Sequence, residues 1–90
     1  MSKELQDECI DLILQERERQ EEKFGHQDHR PEFWLTILSE EVGEMAKEIL
    51  ESRFAGKLPE NNPDYRAELV QVAAVALAML ENSYERVVRL

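Results

Sequence analysis

Cysteine is nearly absent from this chain. Cys9 stands alone among 90 residues, so no disulfide can form within one molecule. Its place on the apolar face of the first predicted helix suits a small core residue better than a reactive thiol. Basic residues are also few: 11 Lys and Arg against 20 Asp and Glu leave a net charge of −9. That balance argues against a nucleic-acid polymer or an anionic membrane as partner, since both are bound through basic patches. An anionic small substrate stays open, because bound cations invert a local field. There is no apolar run long enough to span a bilayer, no signal peptide and no lipidation motif, so a cytoplasmic protein is expected. Missing too are β-type alternation, internal repeats and low-complexity segments.

Glycine and proline are scarce, at three each, and most of them mark where helices stop and start. Residues 3 to 23 contain neither, and Leu5, Cys9, Leu12 and Ile13 recur at the helical period. Gly25 is placed to close that helix. Gln27 to Arg30 form a connection, and Pro31 suits the first turn of a second helix. This helix runs to about Phe54, with Gly56 as its stop. Lys57 to Asn61 read as loop, then Asn62 caps a third helix that begins at Pro63 and continues towards Arg89. The class is all-α, one domain over residues 1–90 with three main helices. So short a chain buries only part of its surface, and a metal or a partner subunit commonly completes it.

Acidic residues are abundant, and their placement carries the information. Projected at about 100° per residue, the second helix has one apolar stripe of Trp34, Leu38, Val42, Met45 and Ile49. Glu41, Glu44 and Glu48 form the strip beside it, while Glu40 lies further towards solvent. Gly43 removes bulk between the acids, at about 1 kcal/mol of helix propensity relative to Ala. Clustered carboxylates repel unless a cation sits among them, and hard oxygen donors select Mg²⁺ or Mn²⁺. Glu48 and Glu51 are read as solvated surface; Glu41 and Glu44 are not.

The third helix is apolar on nearly all sides from Leu69 to Leu80, apart from Gln71. Such a helix is buried by its surroundings. Glu68 and Gln71, spaced i, i+3, share a face with Val75 and Asn82. Taken alone, they read as a first-turn acid and a hydrogen-bonded core amide. Facing Glu41 and Glu44 on an antiparallel neighbour, they can converge on one ion.

On the first helix the apolar stripe turns polar at Glu16, Gln20 and Lys23. That change marks entry into a cavity or a wet interface. Gln20 can bond a base or sugar there. Lys23 either meets a phosphate or snorkels from the helix end. Trp34 reads as core or subunit contact. His26 and His29 read as surface polar residues, since no cysteine or further histidine joins them as zinc ligands. Ser39 and Ser83 have no nearby histidine to activate them.

Glu40-Glu41-Val42-Gly43-Glu44 followed by Glu68-Leu69-Val70-Gln71 resembles the EExxE…ExxD signature of the MazG-like all-α nucleoside triphosphate pyrophosphohydrolases. Arg19-Gln20-Glu21-Glu22-Lys23-Phe24-Gly25 is similar to the RQxxKxG segment of small phage- and cassette-borne members, and Trp34-Leu35 before the motif fits that branch. The likeness covers about Gln15 to Glu81. It implies cleavage of a nucleoside triphosphate between its α- and β-phosphates by metal-activated water. Glu41, Glu44 and Glu68 are then metal ligands, and Gln71 stands where the family has aspartate. Glu40 assists catalysis beside Glu41, while Glu16, Arg19, Gln20, Lys23 and Asn82 are placed to bind substrate. The cofactor implied is Mg²⁺, with Mn²⁺ as substitute. The implied fold has the three helices completing a four-helix-bundle core by oligomerisation, as a homodimer or homotetramer. An amide at residue 71 brings no charge and cannot act as a base. A non-catalytic helical oligomer that keeps an acidic pocket for nucleotide or metal is therefore the alternative reading, and a plain helical interaction domain the blandest.

Overall fold

Three helices and one short turn account for nearly all of the chain. The computed structural model describes residues 2–89, with side chains up to residue 87. Helix α1 spans Lys3–Phe24, α2 spans Pro31–Phe54 and α3 spans Pro63–Arg89; no strand occurs among the described residues. The Ser2 hydroxyl caps α1 by accepting from the Leu5 amide at 3.1 Å. Gly25, at φ 72°, closes the same helix by donating its amide to the Glu21 carbonyl at 2.8 Å. Left-handed backbone there, and again at Gly56, is why glycine punctuates both helix ends. Pro31 and Pro63 open their helices as expected. The segment read as loop includes a 3₁₀ turn, Pro59–Asn61, with Pro59 buried.

Helix α3 is the centre of the molecule. Both α1 and α2 pack on it, and they do not pack on each other. Trp34, Val75 and Ala78 form the core, flanked by half-buried Ile37, Leu38 and Met79. No residue of α1 is fully buried. The Cα radius of gyration is 15.0 Å, whereas a compact globule of this length has about 12 Å.

That openness corrects two expectations. Cys9 is exposed rather than in the core. Within one chain, α3 is buried on one face only: Ala74, Val75 and Ala78 are covered while Leu69 and Leu80 are exposed. Leu5, Ile10, Leu12 and Leu14 on α1, and Leu35, Val42 and Leu50 on α2, are likewise open to solvent.

Asn82 ties the connection between α1 and α2 to α3. It is only 2% exposed and uses both ends of its amide. The oxygen accepts from the His29 backbone amide at 3.0 Å and from Trp34 Nε1 at 2.8 Å. The nitrogen donates to Asp28 at 3.1 Å and to Glu85 at 3.3 Å. Expected from sequence to bind substrate, Asn82 spends its hydrogen bonds inside the fold. Asn82→Ala leaves the Trp34 and His29 donors buried without acceptors. We expect it to lower the unfolding free energy by about 3 kcal/mol in urea titrations, against less than about 1 kcal/mol for the exposed Glu40→Ala.

Candidate functional site

Between the centre of α2 and the start of α3, four acids come near one another. Glu41 and Glu48 are half-buried on α2, Glu44 is exposed beside them, and Glu68 is half-buried on α3. Burial is the first cause that raises the Glu68 pKa above its ordinary value; a hydrogen bond with Glu41 and the charges of Glu41, Glu44 and Glu48 add to it. One Glu68 oxygen, Oε2, is shut off from solvent and has no hydrogen-bond partner. It is one of two such atoms among the described residues, the other being His29 Nε2.

The expected residues are brought together unevenly. Glu41 and Glu44 lie near enough to act on Glu68 by their charge, with Gln71 half-buried one turn along from Glu68. Glu40 is exposed, and the charges acting on Glu68 are those of Glu41, Glu44 and Glu48. Glu48, read as solvated surface, belongs to the cluster instead. Its Oε2 accepts from Asn62 Nδ2 at 3.2 Å. The signal was present in the sequence: Glu48 follows Glu44 by one turn on the same strip.

Across the groove, α1 contributes a second set. Glu16 accepts from Arg19 at 2.6 and 2.9 Å and from Gln20 at 3.2 Å. The Arg19 hydrogen bond outweighs burial and lowers the Glu16 pKa. Arg19 is raised by Glu16 first and also by the charge of Glu41, which links the two helices electrostatically. Glu16, Arg19 and Gln71 line a shallow cleft of about 320 Å³ with Leu12 and Val70. Lys23 stands apart. It is exposed, with Nζ 5.1 Å from the centre of the Phe24 ring, and is not among the residues lining the clefts described here.

A deeper cleft of about 340 Å³ lies further along α3, lined by Arg17, Gln20, His26, Trp34, Glu81 and Glu85 among others. Arg17, not singled out from sequence, pairs with Glu81 at 2.8 Å and Glu21 at 3.0 Å. Burial alone would depress its pKa, but the two carboxylates together raise it. His26 lies at the surface, 3.2 Å from Glu85. His29 does not. Its ring packs 4.6 Å from Phe33 and 4.9 Å from Trp34, and its Nε2 is buried without a partner.

Among the described residues, no three His, Cys, Asp or Glu side chains stand close enough to clasp an ion as they are placed. The donor set itself, carboxylates with one amide oxygen and an orphaned Glu68 Oε2, fits a hard divalent cation.

Glu68 also sets a pH dependence. Between its ordinary value of 4.5 and its raised folded value, the native state binds more protons than the unfolded chain. Unfolding free energy therefore falls as pH rises through that window. Glu16, with its pKa lowered, acts in the opposite sense and loses its contribution as pH falls. In EDTA, Glu68→Gln is expected to melt at a higher temperature than wild type at pH 7, with the difference closing towards pH 4. A variant that melts below wild type at pH 7 contradicts the assignment of crowded charge.

Comparison with protein families, with curated proteins and with solved structures finds no match to this chain, so the chemistry of the site rests on its own residues.

Proposed function

We propose that this chain is a Mg²⁺-dependent nucleoside triphosphate pyrophosphohydrolase of the MazG-like kind, working in the cytoplasm. The observation that supports the reading is that Glu41 and Glu44 of α2 lie near enough for their charges to act on the half-buried Glu68 of α3. Acids brought near one another from two helices make chemical sense when a cation is their object. The EExxE…ExxQ pattern at this spacing supports the same class.

In this reading Glu41, Glu44 and Glu68 would hold the cation, with the Gln71 amide oxygen as a further donor. Bound Mg²⁺, or Mn²⁺ in its place, supplies charge neutralisation for the triphosphate and lowers the pKa of water. Glu40, exposed beside Glu41, would take the proton of the water that attacks the α-phosphorus. The α–β anhydride bond breaks, and monophosphate and pyrophosphate leave. Arg19, already in the field of Glu41, offsets charge on the phosphates. Lys23 joins it only by swinging away from Phe24. Glu16 orients Gln20 through their hydrogen bond, and Gln20 also lines the deeper cleft, which has room for the nucleoside.

The working form is a homodimer or homotetramer in which a second copy completes a four-helix bundle. Leu69, Ala76, Leu80 and Val87 form one exposed stripe on α3, and Leu35, Val42 and Ala46 lie beside the buried stripe of α2. Contiguous apolar surface of this kind is what a subunit contact covers. Sedimentation at micromolar concentration is expected to show a dimer or larger species. A well-folded monomer there overturns the assembly.

The charge-free amide of Gln71 favours a second reading, a binding module that holds nucleotide without cleaving it. One comparison separates the two. Wild type and Glu41→Ala are assayed for pyrophosphate release on a panel of ribo- and deoxynucleoside triphosphates with Mg²⁺ or Mn²⁺. We expect at least one nucleotide to be hydrolysed by wild type and the variant to lose at least about 100-fold, since loss of a ligand exceeds the 10–100-fold cost of an outer-shell change. Equal background rates on every nucleotide refute the enzyme. Binding without turnover selects the module.

A further inference from the structure

We propose that the ion pair between Arg17 and Glu81 is a salt-sensitive latch that holds α1 on α3, and that its release frees α1 while the seam between α2 and α3 stays folded. The latch is independent of the nucleotide reading.

Helix α1 has little else to hold it. None of its residues is fully buried, and it packs on α3 alone. Four of them are half-buried, Ile13, Glu16, Arg17 and Gln20, at the spacing of one helical face. Only Ile13 among the four is apolar. One partly covered isoleucine contributes far less than the core of Trp34, Val75 and Ala78 that joins α2 to α3. Glu16 spends its hydrogen bonds on Arg19 and Gln20, within α1. Arg17 reaches across instead. Its Nε donates to Glu81 Oε1 at 3.3 Å and its Nη2 to the same oxygen at 2.8 Å, and these are the hydrogen bonds that join α1 to α3 among the described residues.

The pair is strong enough to fasten the helix and open enough to be released. Nη2 of Arg17 also donates to Glu21 Oε1 at 3.0 Å, one turn along α1. The guanidinium is therefore set by its own helix before it meets α3, and it loses less side-chain freedom on pairing. One arginine between two carboxylates is a small network, and such a network holds better than an isolated surface pair. The Arg17 side chain is only 16% exposed, but Glu81 is 52% exposed. Dissolved ions reach that carboxylate, and at 1 M salt the screening length falls to about 3 Å. Release also reaches the deeper cleft. Arg17, Gln20 and Glu21 form its α1 wall, and Ala78, Glu81 and Glu85 its α3 wall, so the two sides part when the latch opens.

The test is amide hydrogen exchange read by mass spectrometry, at low ionic strength and in 1 M NaCl. It compares wild type, Glu21→Gln, Glu81→Gln and the charge swap that joins Arg17→Glu to Glu81→Arg. Glutamine keeps an acceptor oxygen and removes the charge. At low salt, Glu81→Gln is expected to speed exchange along α1 at least about fivefold, with α2 and α3 unchanged. Glu21→Gln removes a partner on the same helix only and stays within about twofold of wild type. The swap keeps one arginine between two carboxylates, with the arginine now on α3, and brings α1 exchange back towards the wild-type rate. In 1 M NaCl, α1 of wild type exchanges as fast as α1 of Glu81→Gln. Unchanged α1 exchange in Glu81→Gln means that other contacts, those of a second copy among them, hold the helix, and it overturns the latch. A rise shared equally by α2 and α3 overturns it too, because the pair then supports the whole fold. So does a swap that exchanges as fast as Glu81→Gln, or a wild type whose α1 exchange is indifferent to salt.

Discussion

An asparagine clamps each end of the antiparallel seam between α2 and α3. Asn82 fixes the beginning of α2 to the later part of α3 through Trp34 Nε1 and the His29 amide. Asn62 fixes the far end, joining Glu48 and Ser52 of α2 to the first turn of α3. The acids lie between these clamps. Apolar contact alone is a poor restraint here, because the core is small and α1 never closes over α2. Directional hydrogen bonds, buried at one end and partly buried at the other, define how the two helices face each other.

This arrangement holds like charges where they would rather separate. Glu68 answers by keeping its proton to higher pH, with burial as the larger cause and neighbouring acids as the lesser ones. A raised carboxyl pKa is a destabilising feature at neutral pH. Its persistence is easiest to understand where function uses the strain, since sites with pKa values displaced by burial and specific charge partners are enriched among functional ones. Glu16 and Arg19 show the contrary case on α1. There a short ion pair settles the charge and lowers the carboxyl pKa.

The helices were legible because their ends are written in residues with few alternatives: Gly25 and Gly56 at left-handed positions, Pro31 and Pro63 at first turns. The strip of Glu41 and Glu44 was legible for the same reason, since helical period fixes direction. What failed were judgements about depth. Glu48 sits on the margin of the buried stripe, and its environment is decided by Asn62, which arrives from a loop that periodicity cannot place. Asn82 projects with Glu68 and Gln71, yet it lies about 17 Å along the axis from Gln71. A shared face did not mean a shared site. His29 looked like loop surface and is packed between Phe33 and Trp34, because a connection pinned by Asn82 folds inward. Cys9 and Leu5 obey the helical period perfectly well, but the single chain offers nothing to cover them.

The two kinds of exposed surface fall on different sides of the same helix. On α2, Trp34 and Ser52 mark the buried line, with Glu41, Glu44 and Glu48 to one side and Leu35, Val42 and Ala46 to the other. On α3 the stripe of Leu69, Ala76, Leu80 and Val87 turns away from Gln71 and Asn82. In the proposed assembly, a second copy seated on the apolar flanks would leave the acids and the groove beside α1 uncovered. Stability and chemistry then make separate demands on the chain: the apolar flanks answer the shortage of core in 90 residues, and the charged groove remains free because no apolar contact needs it. The price of that division is a first helix that touches only α3, and it is on this loosely held helix that Glu16, Arg19 and Gln20 sit. Local stability is lowest where buried contacts are fewest, so α1 is the helix least firmly held to the α2–α3 seam.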